Sequence, residues 1–61
     1  MNKLKLLREE RALTQSEVAE AVRITTSYYG MLESGRRIPS LPIAIRLAKH
    51  FNLSVEKIFN Y

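Results

Sequence analysis

The chain has no cysteine, and it has a single histidine among its 61 residues. It can therefore form neither a disulfide nor a thiolate metal site, and His50 alone cannot complete a zinc site. We expect no metal, no cofactor and no small-molecule ligand. A chain this short buries only ~60% of the surface that it exposes when unfolded. We predict one small domain over residues 1–61. Without disulfides or a metal, it would be stabilised by helix packing and by association with a second copy of the chain.

Long apolar segments are missing as well. No apolar run approaches the ~20 residues that a membrane-spanning helix needs. The first residues, "MNKLKLL", contain neither a long apolar region nor a small-residue cleavage site, so no signal peptide is expected. Together with the absence of cysteine, these patterns favour a cytoplasmic protein.

Catalytic motifs are also absent from the sequence. No Gly-rich phosphate-binding loop occurs, and no motif places the partners of a hydrolytic triad around His50. Glu9 and Glu10 are adjacent, so their carboxylates point apart on a helix and do not form a catalytic pair. We therefore predict that the protein is not an enzyme.

Positive charge is in excess. The 10 lysines and arginines outnumber the 6 acidic residues, which gives a formal net charge of +4. An excess of this size in so small a domain favours a polyanionic partner, although many proteins without such a partner are equally basic. The pair Lys3 and Lys5 is expected to lie on a solvated helix face.

Helix-start residues recur along the chain, whereas strand signals are weak. The run "TQSE" is a capping box, in which Thr14 accepts a hydrogen bond from the Glu17 amide while Glu17 reaches back to Thr14. Gly35 and Asn52 suit the left-handed ends of helices. The predicted helices, each with its capping residue, cover about 3–11 after Asn2, 15–22 after Thr14, 26–34 after Thr25, 41–51 after Ser40, and a short stretch from 55 after Ser54.

Apolar residues recur at helical spacing and give the helices buried faces. Among the predicted core positions are Leu4, Leu7, Val18, Ala19, Val22, Tyr29, Leu32, Leu41, Ala44, Leu47, Ala48 and Phe51. The four residues "VRIT" between helices two and three are too few for a long antiparallel hairpin, but they suit a steep crossing. The prediction is an all-α, compact five-helix domain whose second and third helices form a helix-turn-helix.

The segment 13–40, "LTQSEVAEAVRITTSYYGMLESGRRIPS", and the closing "LSVEKIF" resemble the lambda-repressor-like helix-turn-helix family, also called the Cro/repressor or XRE family. The resemblance covers nearly the whole chain. It implies a five-helix domain that binds double-stranded operator DNA, usually as a homodimer, and regulates transcription. Repression is the favoured role, and the sequence leaves activation open. The family often has glycine where Ala12 and Arg23 stand, so a left-handed backbone at these positions would cost ~1 kcal/mol or more.

Helix three carries the candidate base-reading residues. Its polar face lies opposite its core face, and its N-terminal end leads into the major groove in such proteins. Helix geometry and the resemblance indicate the same set: Thr26, Ser27, Gly30 and Met31. Gly30 would allow a close approach to DNA. Hydroxyl and methyl groups discriminate bases weakly, so we expect much of the specificity to come from DNA shape and half-site spacing. The alternative is an ordinary solvated polar face.

Residues that flank helix three are the candidate phosphate contacts. The resemblance implies that Gln15 contacts a phosphate and braces the reading helix, and a helix N-terminus favours an anion there. Arg36 and Arg37 follow helix three directly and could bind phosphates beside the groove. Tyr28 borders the core, so phosphate contact and packing both remain open for it. The complete predicted set is Thr14, Gln15, Ser16, Arg23, Tyr28, Arg36 and Arg37.

Arg8 and Glu33 are predicted to form a partly buried salt bridge. The family often pairs these two positions, and Glu33 lies beside the core face of helix three, where an unpaired charge would be costly. The bridge would orient helix three on helix one more than it would add stability, because desolvation offsets much of the attraction.

A homodimer is expected from the resemblance and from the small core. Its predicted apolar contacts are Ile43, Ile58, Phe59 and Tyr61. The alternative function is a protein-interaction module on the same fold, either an adaptor or an antitoxin-like neutraliser. RNA binding is less favoured, because the sequence shows no platform of exposed aromatic side chains.

Overall fold

Five helices form the fold of the computed structural model, which describes residues 2–59. They are α1 (Leu4–Glu10), α2 (Gln15–Ala21), α3 (Thr26–Glu33), α4 (Leu41–Phe51) and α5 (Val55–Phe59). Within this range there is no strand, so the all-α prediction is confirmed. None of the helices in the described part of the chain is long and apolar enough to cross a membrane.

The caps of α2 and α3 are those that the sequence predicts. Thr14 accepts a hydrogen bond from the Glu17 amide at 3.0 Å, and Glu17 accepts one from the Thr14 amide at 2.8 Å. Thr25 accepts from the Tyr28 amide at 3.0 Å. Each such cap stabilises its helix by ~1 kcal/mol. Gly35 ends the third helix with φ +80°, the left-handed conformation expected there.

Two predicted caps differ from the structure. α1 begins at Leu4, and Lys3 rather than Asn2 occupies the N-cap position. The Asn2 carboxamide oxygen still accepts from the Leu4 amide at 3.0 Å, while its nitrogen donates to the Leu32 carbonyl at 2.8 Å. Asn2 therefore ties the start of α1 to α3, which no local pattern indicates. Ser40 occupies the N-cap of α4 without a side-chain hydrogen bond.

Apolar side chains from all five helices form one core. α2 and α1 pack on α3, and α5 packs on α4. The buried residues are Leu4, Leu7, Val18, Ala19, Val22, Tyr29, Leu32, Ala44, Leu47, Ala48, Phe51, Ile58 and Phe59. Leu41 is 67% exposed, so its predicted core position is wrong. It lies in the first turn of α4, where helical spacing continues but packing against the other helices has not yet begun.

Two of the predicted dimer contacts are wrong for a related reason. Ile58 and Phe59 are buried within the monomer, where α5 packs on α4, and so they are not exposed for a partner. Ile43 is partly buried against the same core. Tyr61 lies outside the described residues.

The two turns in which the family often has glycine are left-handed in this chain. Ala12 has φ +55° and Arg23 has φ +65°. Both residues carry a Cβ atom in a conformation that L-residues avoid, which costs about 1–2 kcal/mol for each. The second turn is closed by a hydrogen bond from the Ile24 amide to the Ala19 carbonyl at 2.9 Å. Both turns keep the left-handed backbone in spite of that cost.

Candidate nucleic-acid interface

α3 has a buried side and an exposed side. Tyr29 and Leu32 are completely buried and anchor the helix in the core. Thr26 and Ser27 are exposed at its N-terminal end, and Met31 is partly exposed one turn further on. Hydroxyl groups and a thioether therefore reach solvent where the sequence predicts base-reading residues. The structure brings these side chains to one end and one side of a helix that is fixed from behind.

Gly30 faces Gln15. A Cβ atom at position 30 would lie 3.6 Å from the Gln15 Oε1 atom and 3.9 Å from its Nε2 atom, which are ordinary contact distances. The side chain nearest to this position is therefore that of Gln15, the first residue of α2, and this contact does not require glycine. An alanine would fit at this position, and it would take up space that is open beside the Gln15 amide.

Arg8 and Glu33 form the predicted salt bridge in bidentate geometry. Arg8 Nε donates to Glu33 Oε2 at 2.6 Å, and Arg8 Nη2 donates to Glu33 Oε1 at 3.2 Å. The side chains are only 13% and 5% exposed, respectively. A charge-assisted pair with two parallel hydrogen bonds fixes both distance and angle. α3 is therefore held on α1 in a defined orientation.

Two further hydrogen bonds extend this pair into a network that the sequence did not indicate. Arg8 Nη1 donates to the Leu13 carbonyl at 2.9 Å, in the turn before α2. Gln15 Nε2 donates to Glu33 Oε1 at 3.1 Å. Glu33 thus accepts hydrogen bonds from α1 and from the first residue of α2. Gln15 does brace α3, as the family resemblance implies, and its contact with phosphate stays a prediction.

The charges of this network are set by burial and by its hydrogen bonds. Burial alone would raise the pKa of the Glu33 carboxyl group, but the hydrogen bonds from Arg8 and Gln15 outweigh it and hold that pKa below its usual value. The hydrogen bond to Glu33 raises the pKa of Arg8. Glu33 and Arg8 are therefore both ionised at neutral pH.

Tyr29 lies beside this network as a neutral phenol. Burial raises its pKa, and the nearby Glu33 carboxylate adds to the increase. Within residues 2–59 the Tyr29 hydroxyl makes no hydrogen bond of ordinary geometry. The carboxylate therefore acts on the phenol through proximity and low dielectric.

Arginines flank α3 at both of its ends. Arg23 lies in the left-handed turn before the helix, with an exposed side chain. Arg36 and Arg37 are exposed after it, and their backbone amides both donate to the Met31 carbonyl, at 2.9 and 3.2 Å. This folds the chain back over the end of the helix. The three arginines thus lie just before and just after α3 with exposed side chains, and the sequence predicts that they contact DNA phosphates.

The remaining predicted phosphate contacts have different surroundings. The Thr14 hydroxyl is occupied as the cap of α2, and Ser16 is exposed two residues later. Tyr28 is partly buried, and its side chain packs against the core.

Within residues 2–59, no three histidine or acidic side chains lie close enough to bind a metal ion together.

Several large apolar side chains are exposed on the described part of the molecule. Ile38 is 80% exposed and Ile45 is 40% exposed, and both share the uncharged segment 38–45 with the exposed Leu41. Leu6, on α1, is 55% exposed. Ile38 lies in a loop, where no helical pattern marks it as either buried or exposed.

Comparison with known proteins gives one consistent result. A helix-turn-helix family model matches residues 4–58. The chain is 37% identical over 60 residues to an HTH-type transcriptional regulator of Methanocaldococcus jannaschii, covering 98% of this chain and 91% of that protein. It is 39% identical over 54 residues to the HTH-type transcriptional regulator PrpR of Mycobacterium tuberculosis, covering 88% of this chain but only 11% of PrpR.

A solved structure is similar as well. A transcriptional regulator from Listeria innocua superimposes with a TM-score of 0.87 at 31% sequence identity. The match covers 95% of this chain and 54% of the Listeria chain. The likeness therefore extends across the helices described above and includes about half of the other molecule.

Proposed function

Because this chain belongs to the helix-turn-helix family of DNA-binding transcriptional regulators, we propose that it binds a specific double-stranded operator as a homodimer and represses transcription. The observation that carries the proposal is the exposed polar side of α3, a helix that has exposed arginines before and after it and is fixed from behind by the core and by Glu33. A recognition helix needs these three properties: access to the groove, flanking positive charge and a defined orientation.

In this proposal α3 lies in the major groove with its N-terminal end leading. Thr26 and Ser27 hydroxyls can donate to or accept from base edges, and the methyl groups of Thr26 and Met31 can contact the thymine methyl group. Such contacts select bases weakly compared with a bidentate arginine or glutamine. The operator is therefore selected largely by its shape and by the spacing of its half-sites.

Phosphate contacts supply most of the affinity. Arg23, Arg36 and Arg37 bind the phosphates on either side of the groove, and the Gln15 amide adds a neutral donor. Three arginines per subunit correspond to six neutralised phosphates per dimer, and these alone contribute about −5 to the slope of log K against log salt concentration. Thr14, Ser16 and Tyr28 make at most peripheral contacts, because a cap and the core already engage two of them.

The size of the molecule favours two copies on one operator. The described part measures 25 × 21 × 18 Å, whereas successive major grooves on one face of DNA lie ~34 Å apart. One copy cannot read two half-sites, and two symmetrically related copies can. The exposed apolar side chains of segment 38–45 are the candidate contacts between them, since an uncharged surface avoids repulsion between two chains of net charge +4. A dimer bound over a promoter would repress by excluding RNA polymerase.

The test begins with selection of duplexes from a random pool, followed by mobility-shift titrations of the selected site at salt concentrations between ~50 and ~200 mM. We expect tight binding to the selected site and a steep salt dependence. Thr26→Ala should change the preferred sequence, whereas Arg36→Gln with Arg37→Gln should reduce the salt slope and leave the preferred sequence unchanged.

Absence of binding to every duplex at low salt would contradict the proposal and would favour the protein-interaction module instead. Repression is tested separately with a reporter gene behind the selected operator. Expression should fall when the protein is supplied, and an increase would identify an activator.

A further inference from the structure

An open depression lies where α1, α2 and α3 meet, and it has a volume of about 350 Å³. Lys5 and Arg8 from α1, Gln15 from α2, and Gly30, Glu33 and Ser34 from α3 line it. We propose that this depression binds one backbone phosphate of the operator and that Lys5 is its cationic contact. The proposal rests on the DNA-binding function proposed above, and it adds α1 to the interface.

The position of the depression follows from the geometry of α3. Gly30 lies three and four residues after Ser27 and Thr26, so it occupies the same side of the helix one turn further on. Ser34 follows Gly30 by another turn. DNA that contacts the exposed N-terminal end of α3 along this side would therefore bring its backbone towards the depression. Gly30 contributes no side chain to it, which leaves the space beside the Gln15 amide open.

The charges suit a phosphodiester group. Glu33 is neutralised by its salt bridge with Arg8, whose three donor nitrogens already bind Glu33 and the Leu13 carbonyl. Lys5 is exposed, and within residues 2–59 its ammonium group makes no hydrogen bond or ion pair. The depression thus has a net charge of one positive unit, and a phosphodiester carries one negative charge. Lys5 is the cation that can move to meet it.

The Gln15 amide is oriented by the same network. Its nitrogen carries two hydrogens, and one of them is donated to Glu33 Oε1 at 3.1 Å. The carboxylate can only accept, so it fixes the amide with nitrogen rather than oxygen towards Glu33. The second N–H group remains available to a phosphate. Lys5 and Gln15 would together supply a charged donor and a neutral donor from two different helices.

The experiment compares Lys5→Gln with Lys57→Gln. Both variants lose one positive charge at an exposed lysine, but Lys57 lies on α5 and does not line this depression. We expect Lys5→Gln to reduce the salt slope by about 0.9 per subunit and to weaken operator binding roughly eightfold per subunit at ~0.1 M salt. The preferred sequence should not change. Lys57→Gln should leave the slope as it is in the unsubstituted protein.

The variant Gly30→Ala provides a second, independent test of the phosphate site. The added methyl group meets Gln15 at an ordinary contact distance, so the fold should accept it, and the melting temperature should rise because glycine disfavours helix. Operator binding should nevertheless weaken, since the methyl group occupies the space that the phosphate needs. A stable variant with unchanged binding would contradict the proposal.

The outcomes separate this inference from the function on which it rests. If the unsubstituted protein binds its operator and Lys5→Gln has the same salt slope as Lys57→Gln, the depression is not a phosphate site and the DNA-binding proposal stands. A further outcome comes from an NMR titration with inorganic phosphate. If the titration shifts the Gly30 amide resonance while Lys5→Gln binds the operator normally, the depression binds free anions and not the operator backbone. The inference is then wrong. If no duplex binds, both proposals fail together.

Discussion

Glu33 is the residue on which the contacts of α3 converge. Its carboxylate binds Arg8 of α1 and Gln15 of α2, and it lies beside the buried Tyr29 phenol. A carboxylate that is 95% removed from solvent gains little net stability from such a pair, because desolvation offsets the attraction. The network therefore fixes the orientation of α3 more than it adds stability.

This role predicts a specific pattern in a double-mutant cycle. Arg8→Met or Glu33→Met alone should each cost on the order of 3 kcal/mol of unfolding free energy, because a partly buried charge is left unpaired. The double variant should cost less than the sum by 1–3 kcal/mol. Urea denaturation measures these values.

The same double variant separates orientation from stability. The double variant should be folded, yet it should bind the operator more weakly than the unsubstituted protein. The reason is that neither Arg8 of α1 nor Gln15 then holds α3 through Glu33. Additive costs would show that the two side chains do not act as a pair. Normal operator binding by the double variant would show that the bridge does not orient the recognition helix.

At the scale of the elements, the left-handed turns before α2 and α3 store strain. Ala12→Gly should relieve about 1–2 kcal/mol of it and lose part of the gain to the greater freedom of glycine in the unfolded chain, leaving a net stabilisation of up to ~1 kcal/mol. That corresponds to an increase of several degrees in the melting temperature of a domain this small. Thermal unfolding followed by circular dichroism measures it.

Asn52→Gly is the matched control, because Asn52 has φ +58° and asparagine tolerates this conformation well. Its melting temperature should change little. A lower melting temperature for Ala12→Gly than for the unsubstituted protein would mean that the turn is not strained. Arg23→Gly should also stabilise the fold, but it should weaken operator binding, because it removes a proposed phosphate contact.

Local patterns were sufficient for the helices and insufficient for the contacts between them. The capping box at Thr14 and the glycine at position 35 act within one turn of the chain, so the sequence shows both directly. Leu41 and Ile58 have similar helical spacing, yet one is exposed and the other is buried. Which of them is covered depends on how α4 and α5 pack, and periodicity holds no information about that.

The candidate site divides in the same way. The Arg8–Glu33 pair could be predicted because the family often pairs these positions. The hydrogen bond from Gln15 to Glu33 and the depression beside Lys5 require three helices to meet, and no spacing along the chain indicates such a meeting.

At the scale of the whole molecule, two shifted pKa values predict how the stability of the fold changes with pH. The pKa of Glu33 is lowered in the folded state, so its contribution is complete above the ordinary value of 4.5 and is lost as the pH falls through the folded value. The pKa of Tyr29 is raised above its ordinary value of 10.0. Above pH ~10 the unfolded chain loses this proton first, so stability should fall by up to ~1.4 kcal/mol per pH unit.

Urea denaturation between pH 3 and pH 12 tests both limits. Tyr29→Phe should remove its part of the alkaline loss and keep the acid loss, and it should fold well because the hydroxyl has no hydrogen bond to give up within residues 2–59. Tyr28→Phe, on the same helix, is the control and should retain the alkaline loss. If Tyr29→Phe loses as much unfolding free energy at alkaline pH as the unsubstituted protein, other groups cause that loss.

The proposed homodimer can be separated from DNA binding because its candidate contacts lie outside the core. Leu41→Gln together with Ile38→Gln should leave the fold intact, since both side chains are largely exposed. Sedimentation equilibrium should show a dimer for the unsubstituted chain and a monomer for this variant. Binding to an operator with two half-sites should weaken roughly a hundredfold, because the second subunit is no longer held nearby. Binding to an isolated half-site should not change.

Leu6→Gln removes an equally apolar exposed side chain from α1 and serves as the matched control. It should remain dimeric. Dissociation of this variant instead would place the interface on α1 rather than on segment 38–45. A chain that stays monomeric at concentrations at which it fills both half-sites would mean that two copies assemble only on DNA. The ~34 Å spacing of the grooves would then be bridged by the operator, and the exposed leucine and isoleucines would need another explanation.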